Sequence, residues 1–170
     1  FSNKTAIAPT ASISIICGGS SPGIEPIAAN SFTHKTLSGS FNVRNKYLKK
    51  VLEKYKKDTD DVWSSITTNQ GSVSHLEFLT AEEKDTFKTA FEIDQRWIIE
   101  LGADRTPHIS QAQSINVFIP ADIHKKELHD IHFQAWKKGL KSLYYCRSKS
   151  IQRAENVNKG TSTDGKSGTW

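Results

Sequence analysis

The chain has 170 residues, 23 Lys+Arg against 18 Asp+Glu for a net charge of +5, and 36% hydrophobic and 24% charged residues. That length suits one domain with a substantial core, and the apolar and charged fractions exclude wholesale disorder. No stretch approaches the roughly 18 consecutive apolar residues of a membrane span, and two cysteines, Cys17 and Cys146, make neither a disulfide scaffold nor a four-thiolate zinc site.

Methionine is absent and the first residue is Phe1. The opening run lacks the basic, apolar and small-residue order of a secretory signal, so the expectation is a piece cut or split from a longer polypeptide. Ala6, Ile7 and Ala8 read as the end of a buried strand, and Pro9-Thr10 bends the chain. Thr10, Ser12 and Ser14 are N-cap candidates for a short helix carrying Ile13, Ile15 and Ile16, which Gly18, Gly19, Pro22 and Gly23 end. Extended structure follows from Pro26 to Phe41, with a turn near Ser38-Gly39.

Residues 44–57 and 60–67 read as two helices. The first belongs to a basic block, residues 35–57, with eight Lys/Arg and one Glu; residues 137–170 form a second, and residues 58–136 are acidic. The basic helix has Val43, Tyr47 or Leu48, Val51 or Leu52 and Tyr55 along one side, the pattern of a solvated amphipathic helix rather than of a nucleic-acid stripe. A long helix starts at Thr80, where Thr80 and Glu83 form a capping box. Phe87, Ala90, Phe91, Asp94, Ile98 and Leu101 continue it at helical spacing, and Gly102 and Pro107 close it. SQAQSINVFIP is a buried strand and turn, Ala121–Leu140 a helix carrying Leu128, Ile131, Ala135 and Trp136, and Leu143-Tyr144-Tyr145 a final strand. The succession favours an α/β fold with parallel strands, ending in a polar, disordered tail over 155–170.

A strand followed by PTASIS and a helix start is suited to holding phosphate. The first helical turn has unpaired N–H groups and the positive end of the dipole, and small hydroxyl residues let an anion approach. The same residues also serve as plain caps. Tyr144-Tyr145 on a strand would place one ring in the core and one at the rim. His129 and His132, with His124 behind them, have metal-binding spacing but no second ligand set. Cys17 and Cys146 read either as a thiol pair or as two small buried apolar residues. Glu25, Asp94 and Asp104 are the carboxylates available for acid–base work, Glu25 foremost because of its glycine-rich GIEP loop.

Taken together, IAPTASISIICGG with GIEPI, FEIDQRW, ADRTPHISQAQSINVFIPADI and GLKSLYYCRSKSIQRA closely resemble, in this order, the large catalytic subunit of class I ribonucleoside-diphosphate reductase. More narrowly, they look like the bacterial and phage subgroup. The resemblance covers about residues 1–154, the C-terminal part of that subunit. It implies an incomplete piece of a ten-stranded α/β barrel in a cytoplasmic enzyme that reduces ribonucleoside diphosphates to their 2′-deoxy forms. It implies further that Pro9, Thr10, Ala11, Ser12 and Ile13 bind the substrate diphosphate, and that Tyr144 and Tyr145 relay a radical.

The implied partners are the missing N-terminal part of the large subunit, a second large subunit, and a metal-containing small subunit that delivers the radical. Thioredoxin or glutaredoxin is the implied reductant, ATP and deoxynucleotide effectors bind elsewhere, and no metal, membrane or nucleic acid is engaged directly. The family's radical cysteine sits in an Asn-x-Cys-x-Glu pattern that this sequence lacks, and the tail ends in KSGTW rather than in paired cysteines. The isolated chain is therefore expected to be inactive. The alternative is a non-enzymatic module that holds a nucleotide or nucleic acid.

Overall fold

Local caps decide where most of the helices begin. In a computed structural model, residues 2–19, 21–36 and 39–149 are described, apart from the side chains of residues 15 and 34–36. Helix α1 spans Ile13–Ile16, and strands β1 (Ser31–Thr36) and β2 (Gly39–Arg44) follow. Helix α2 (Lys46–Lys54) starts where the Asn45 side chain accepts from the Tyr47 and Leu48 amides. Helix α3 (Asp60–Thr68) is capped by Thr59, with Asp60 and Asp61 against the positive end of its dipole. Helix α4 (Ala81–Thr86) carries the expected capping box of Thr80 and Glu83.

That helix is shorter than its periodicity suggests. The run expected to continue to Leu101 breaks after Thr86, and α5 (Gln95–Arg105) begins anew at Asp94, whose carboxylate accepts from the Arg96 amide. Between them Glu92 accepts from the backbone and hydroxyl of Thr89, and the Ala90 amide donates to the Ile27 carbonyl at 2.9 Å. Those bonds hold a turn where a helix would have run. Asp94, the polar exception on the expected face, is thus a cap, and Leu101 is exposed.

A 3-10 turn over Thr106–His108 leads to β3 (Val117–Ile119), then α6 (Lys125–Lys137), capped by His124, and β4 (Cys146–Ser148). The final strand therefore lies after the tyrosines rather than over Leu143–Tyr145. β1 and β2 pair antiparallel, with Ser31 opposite Arg44 and Thr36 opposite Gly39; Leu37 and Ser38, where the sequence suggests a turn, lie outside the described residues. β3 and β4 pair in parallel, Val117 beside Cys146, and Ile7 forms a parallel bridge to Gln113. The Ala6–Ala8 segment contributes only that bridge, with Ala6 and Ala8 exposed. Parallel pairing supports the α/β expectation, but these described strands close no barrel. Residues 155–170 lie outside the described residues, and no described helix is long and apolar enough to cross a membrane.

Two cores result. Leu48, Leu52, Trp63, Ile66, Val73, Leu76, Leu79 and Phe87 gather the helices around the hairpin. Ile99, Val117, Ile119, Ile131 and Ala135 join α5, β3 and α6. Truncating one such leucine or isoleucine to alanine costs about 2–5 kcal/mol. Asn30, 1% exposed, ties the first assembly together: its amide donates to the Gly71 and Phe87 carbonyls at 3.0 and 2.8 Å, and its side-chain oxygen accepts from Asn45 at 2.9 Å. Trp136, expected to pack, is instead 73% exposed on the outer side of α6.

Candidate functional site

The N-terminal loop keeps its hydrogen-bond donors free. The Ser14 amide donates to the Thr10 carbonyl at 2.9 Å and the Ser14 hydroxyl to the Ala11 carbonyl at 3.0 Å, folding Pro9–Ser14 into a tight turn with Thr10 at φ +48°. Ser12 stands at the N-cap position of α1 but makes no side-chain cap bond, so its hydroxyl, like the exposed Ala11 and Ile13, faces outward uncommitted. The Ala11, Ser12 and Ile13 amides have no acceptor among the described residues. Free amides beside a free hydroxyl suit an anion.

Tyr144 and Tyr145 do not alternate across a sheet. Both precede β4, and their rings meet with centroids 4.2 Å apart at 56°. Each is about half exposed, 48% and 53%, which replaces the expected division into core and rim. Their backbones are nonetheless fixed to the segment that runs into β3: the Tyr144 amide donates to the Ile115 carbonyl, and the Val117 amide to the Tyr145 carbonyl, both at 2.8 Å. Hydrogen bonding to Tyr145 holds the Tyr144 phenol above the ordinary tyrosine range, and the charge of Tyr145 adds to this. The Arg147 guanidinium lies 5.2 Å from the Tyr145 ring centre.

Both motifs flank the same stretch of chain. The Ser114 amide donates to the Ile7 carbonyl at 2.9 Å on one side of it, and the Tyr144 amide reaches Ile115 on the other. The parallel bridge of Ile7 to Gln113 and the pairing of Val117 with Cys146 set the two segments beside one stretch, residues 113–117.

The remaining candidates take structural parts. Glu25 is buried and accepts from the amide and side chain of Asn116, leaving Asn116 Oδ1, 5% exposed in residue terms, without a partner among the described residues. His124 caps α6, His129 stacks on Phe133, and His132 bonds the Leu128 carbonyl, and no group of three or more His, Cys, Asp or Glu converges on a metal position among the described residues. Asp94 is ion-paired with Arg96 and Asp104 is exposed. Cys17 and Cys146 are free and exposed, so neither is a buried apolar residue and they form no disulfide. A cleft of about 510 Å³ between the start of α5, the end of β3 and α6 touches neither Thr10–Ile13 nor the tyrosines. It is lined by the FEIDQR run, Phe91–Arg96, and by Phe118, Ile119 and Pro120, segments of two of the quoted motifs that sequence alone does not bring together.

A parallel-stranded α/β unit with an N-terminal turn and an apposed tyrosine pair just ahead of a strand is the class these features define. The family profile described as ribonucleotide reductase, barrel domain, matches residues 1–146. The ribonucleoside-diphosphate reductase large subunit of Invertebrate iridescent virus 6 is 50% identical over 161 residues, 92% of this chain and 17% of its own length. That of Invertebrate iridescent virus 3 is 46% identical, over 96% of this chain and 26% of its length. The Actinobacillus ureae class Id ribonucleotide reductase alpha subunit superposes with TM-score 0.75 at 39% identity, over 87% of this chain and 26% of that one. The chain belongs to the ribonucleotide reductase barrel-domain family and spans about a sixth to a quarter of the length of these relatives. The iridoviral identities of 50% and 46% compare with 39% for the Chlamydia trachomatis subunit alpha.

Proposed function

We propose that this chain forms the C-terminal part of the barrel in a ribonucleoside-diphosphate reductase large subunit, with residues 1–154 in that domain. In this reading it supplies the substrate-diphosphate loop at Pro9, Thr10, Ala11, Ser12 and Ile13 and the radical relay at Tyr144 and Tyr145. The observation that carries it is the contact of the two phenol rings, 4.2 Å between centroids, on a backbone bonded to Ile115 and Val117, in the same stretch whose Ser114 amide holds Ile7 just ahead of the loop.

The chemistry follows from the side chains. A neutral phenol gives up an electron and a proton together, and a second phenol within hydrogen-bonding reach supplies both, so the radical moves while each ring ends neutral. A phenol of ordinary ionisation already holds its proton at neutral pH, and the upward shift at Tyr144 acts in the same direction. The free amides of Ala11, Ser12 and Ile13 and the Ser12 hydroxyl are acceptor-seeking groups for phosphate oxygens, helped by the dipole of the turn.

The sequence has no Asn-x-Cys-x-Glu pattern, so the thiol chemistry at the ribose is assigned to polypeptide outside these 170 residues. The rest of the large subunit, a second large subunit and a metal-containing small subunit that delivers the radical are the partners of this reading. Thioredoxin or glutaredoxin supplies electrons, effector nucleotides bind outside the chain, the enzyme is cytoplasmic, and this part alone is inactive. The test is Tyr144→Phe and Tyr145→Phe in the complete large subunit assembled with its small subunit. Loss of deoxyribonucleotide formation with substrate binding intact is the expected result. Retained turnover removes the relay, and salt-dependent DNA binding by the chain would then favour a binding module.

A further inference from the structure

The connector from α6 to Tyr144 is gripped by one side chain. The Lys141 ammonium lies 2.6, 2.7 and 3.3 Å from the carbonyl oxygens of Ile109, Ser110 and Gln111. An ammonium has three N–H donors, and here three consecutive carbonyls take all of them. Among the described residues no other side chain of the connector 139–143 makes a hydrogen bond. The crevice that Leu140–Ser142 form with Thr106 and Gln111–Gln113 has no room for a water molecule.

The gripped loop is itself fixed to the segment that leads into the phosphate turn. The Ser110 amide donates to the Thr5 hydroxyl at 2.8 Å, and the Gln111 amide to the Thr5 carbonyl at 3.0 Å. Three residues beyond Lys141, the Tyr144 amide bonds to Ile115. The connector is therefore pinned at Lys141 and again at Tyr144 to one continuous stretch, residues 109–115, and that stretch also holds Thr5 and Ile7 of the N-terminal segment.

We infer that Lys141 is a positioning residue for the tyrosine pair: its tripod of bonds to Ile109, Ser110 and Gln111 sets the register at which Tyr144 and Tyr145 meet Ile115 and Val117. The inference rests on the relay reading for its catalytic consequence, but its geometric content stands without it. Lys141 touches neither substrate nor a reacting atom.

The experiment uses the complete large subunit with its small subunit and compares Lys141→Met, Lys141→Gln and Lys141→Arg. Methionine keeps the stem and loses every donor, and glutamine keeps two donors, which covers the case in which the methionine variant folds poorly. Arginine keeps a fork of donors and should restore function. A displacement near 1 Å at a reacting group costs about 100-fold in rate, so kcat should fall by about 10- to 100-fold in the methionine variant with KM for the diphosphate unchanged. A 3-fluorotyrosine at position 144 reads the pair directly: its ionisation midpoint should fall in the methionine variant as the phenols separate. An unchanged midpoint with unchanged kcat overturns the inference, and so do parallel losses in kcat and KM that arginine does not rescue. If Tyr144→Phe also turns over, the relay reading fails, while the shift in the fluorotyrosine midpoint still decides whether Lys141 positions the pair.

Discussion

The Tyr144 amide donates to the carbonyl of Ile115 at 2.8 Å, and Ile115 itself is fully buried. A half-exposed phenol is thus anchored through its own backbone to a fully buried residue two positions ahead of β3. This arrangement gives an open side chain a fixed position, which a ring held only by its surface contacts would lack.

The ionisation of Tyr144 should depend on its neighbour. Tyr145→Phe removes the phenol that hydrogen-bonds to Tyr144 and adds to its field, so the Tyr144 midpoint should drop toward the ordinary value near 10. Because the folded value lies above the unfolded one, the pair's contribution to stability is complete below about pH 10 and disappears as pH rises through the folded midpoint. Absorbance of the phenolate in the alkaline range checks both statements; an unmoved midpoint in the phenylalanine variant would refute the coupling.

Asn30→Ala should be among the more damaging single changes. It strips a donor from the Gly71 and Phe87 carbonyls and an acceptor from Asn45, all around a residue that is almost entirely buried. The Gly71 carbonyl keeps the Asn30 backbone amide at 3.0 Å, so the groups left unpaired are the Phe87 carbonyl and the Asn45 side-chain amide, at about 1–3 kcal/mol each less whatever water can enter. We expect a loss of about 3 kcal/mol in urea unfolding. Asn30→Asp should be nearly as harmful, because a carboxylate cannot donate to either carbonyl.

Two glycines of equal backbone conformation separate strain from crowding. Gly71 (φ +82°) and Gly139 (φ +80°) are both left-handed, so alanine at either pays the same conformational penalty of about 1 kcal/mol. A methyl group at Gly71 would lie 2.3 Å from Ala29 Cβ and 2.6 Å from its Cα, whereas at Gly139 it meets nothing within 4 Å. Thermal denaturation should therefore show Gly71→Ala destabilised by at least about 1–3 kcal/mol more than Gly139→Ala. Equal losses would mean that Ala29 moves aside freely.

What the sequence made legible were the features governed by residues close together. The capping box at Thr80 and Glu83 follows from short-range spacing, and the amphipathic pattern of α2 narrows its buried side to Tyr47 or Leu48 and Val51 or Leu52, of which Leu48 and Leu52 are the buried ones. Periodicity misled where a polar side chain found a better local use. Phe87 to Leu101 keeps helical spacing, yet Glu92 turns back to Thr89 and Asp94 starts a new helix. Adjacency misled at the tyrosines, since alternation applies within a strand and this pair sits just ahead of one. The link between Lys141 and residues 109–111, and that between Glu25 and Asn116, joins positions about 30 and 90 apart, and no spacing rule reaches that far.

The start of α5 should be sensitive to acid. Hydrogen bonding from Arg96, on its side chain and amide, outweighs desolvation and holds the Asp94 carboxyl below the usual aspartate value. A lowered folded value means that its contribution is present above the unfolded midpoint, near pH 4, and is lost as pH falls through the folded one. Asp94→Ala removes the cap at every pH, at a cost of about 1 kcal/mol. It should flatten the acid limb of the stability profile relative to the parent. Asp94→Asn keeps a capping oxygen and should recover much of the neutral-pH stability while remaining flat in acid, since asparagine does not titrate. Urea midpoints measured from pH 6 down to pH 3 distinguish the three proteins, and an acid limb as steep in the asparagine variant as in the parent would assign that sensitivity to another carboxylate.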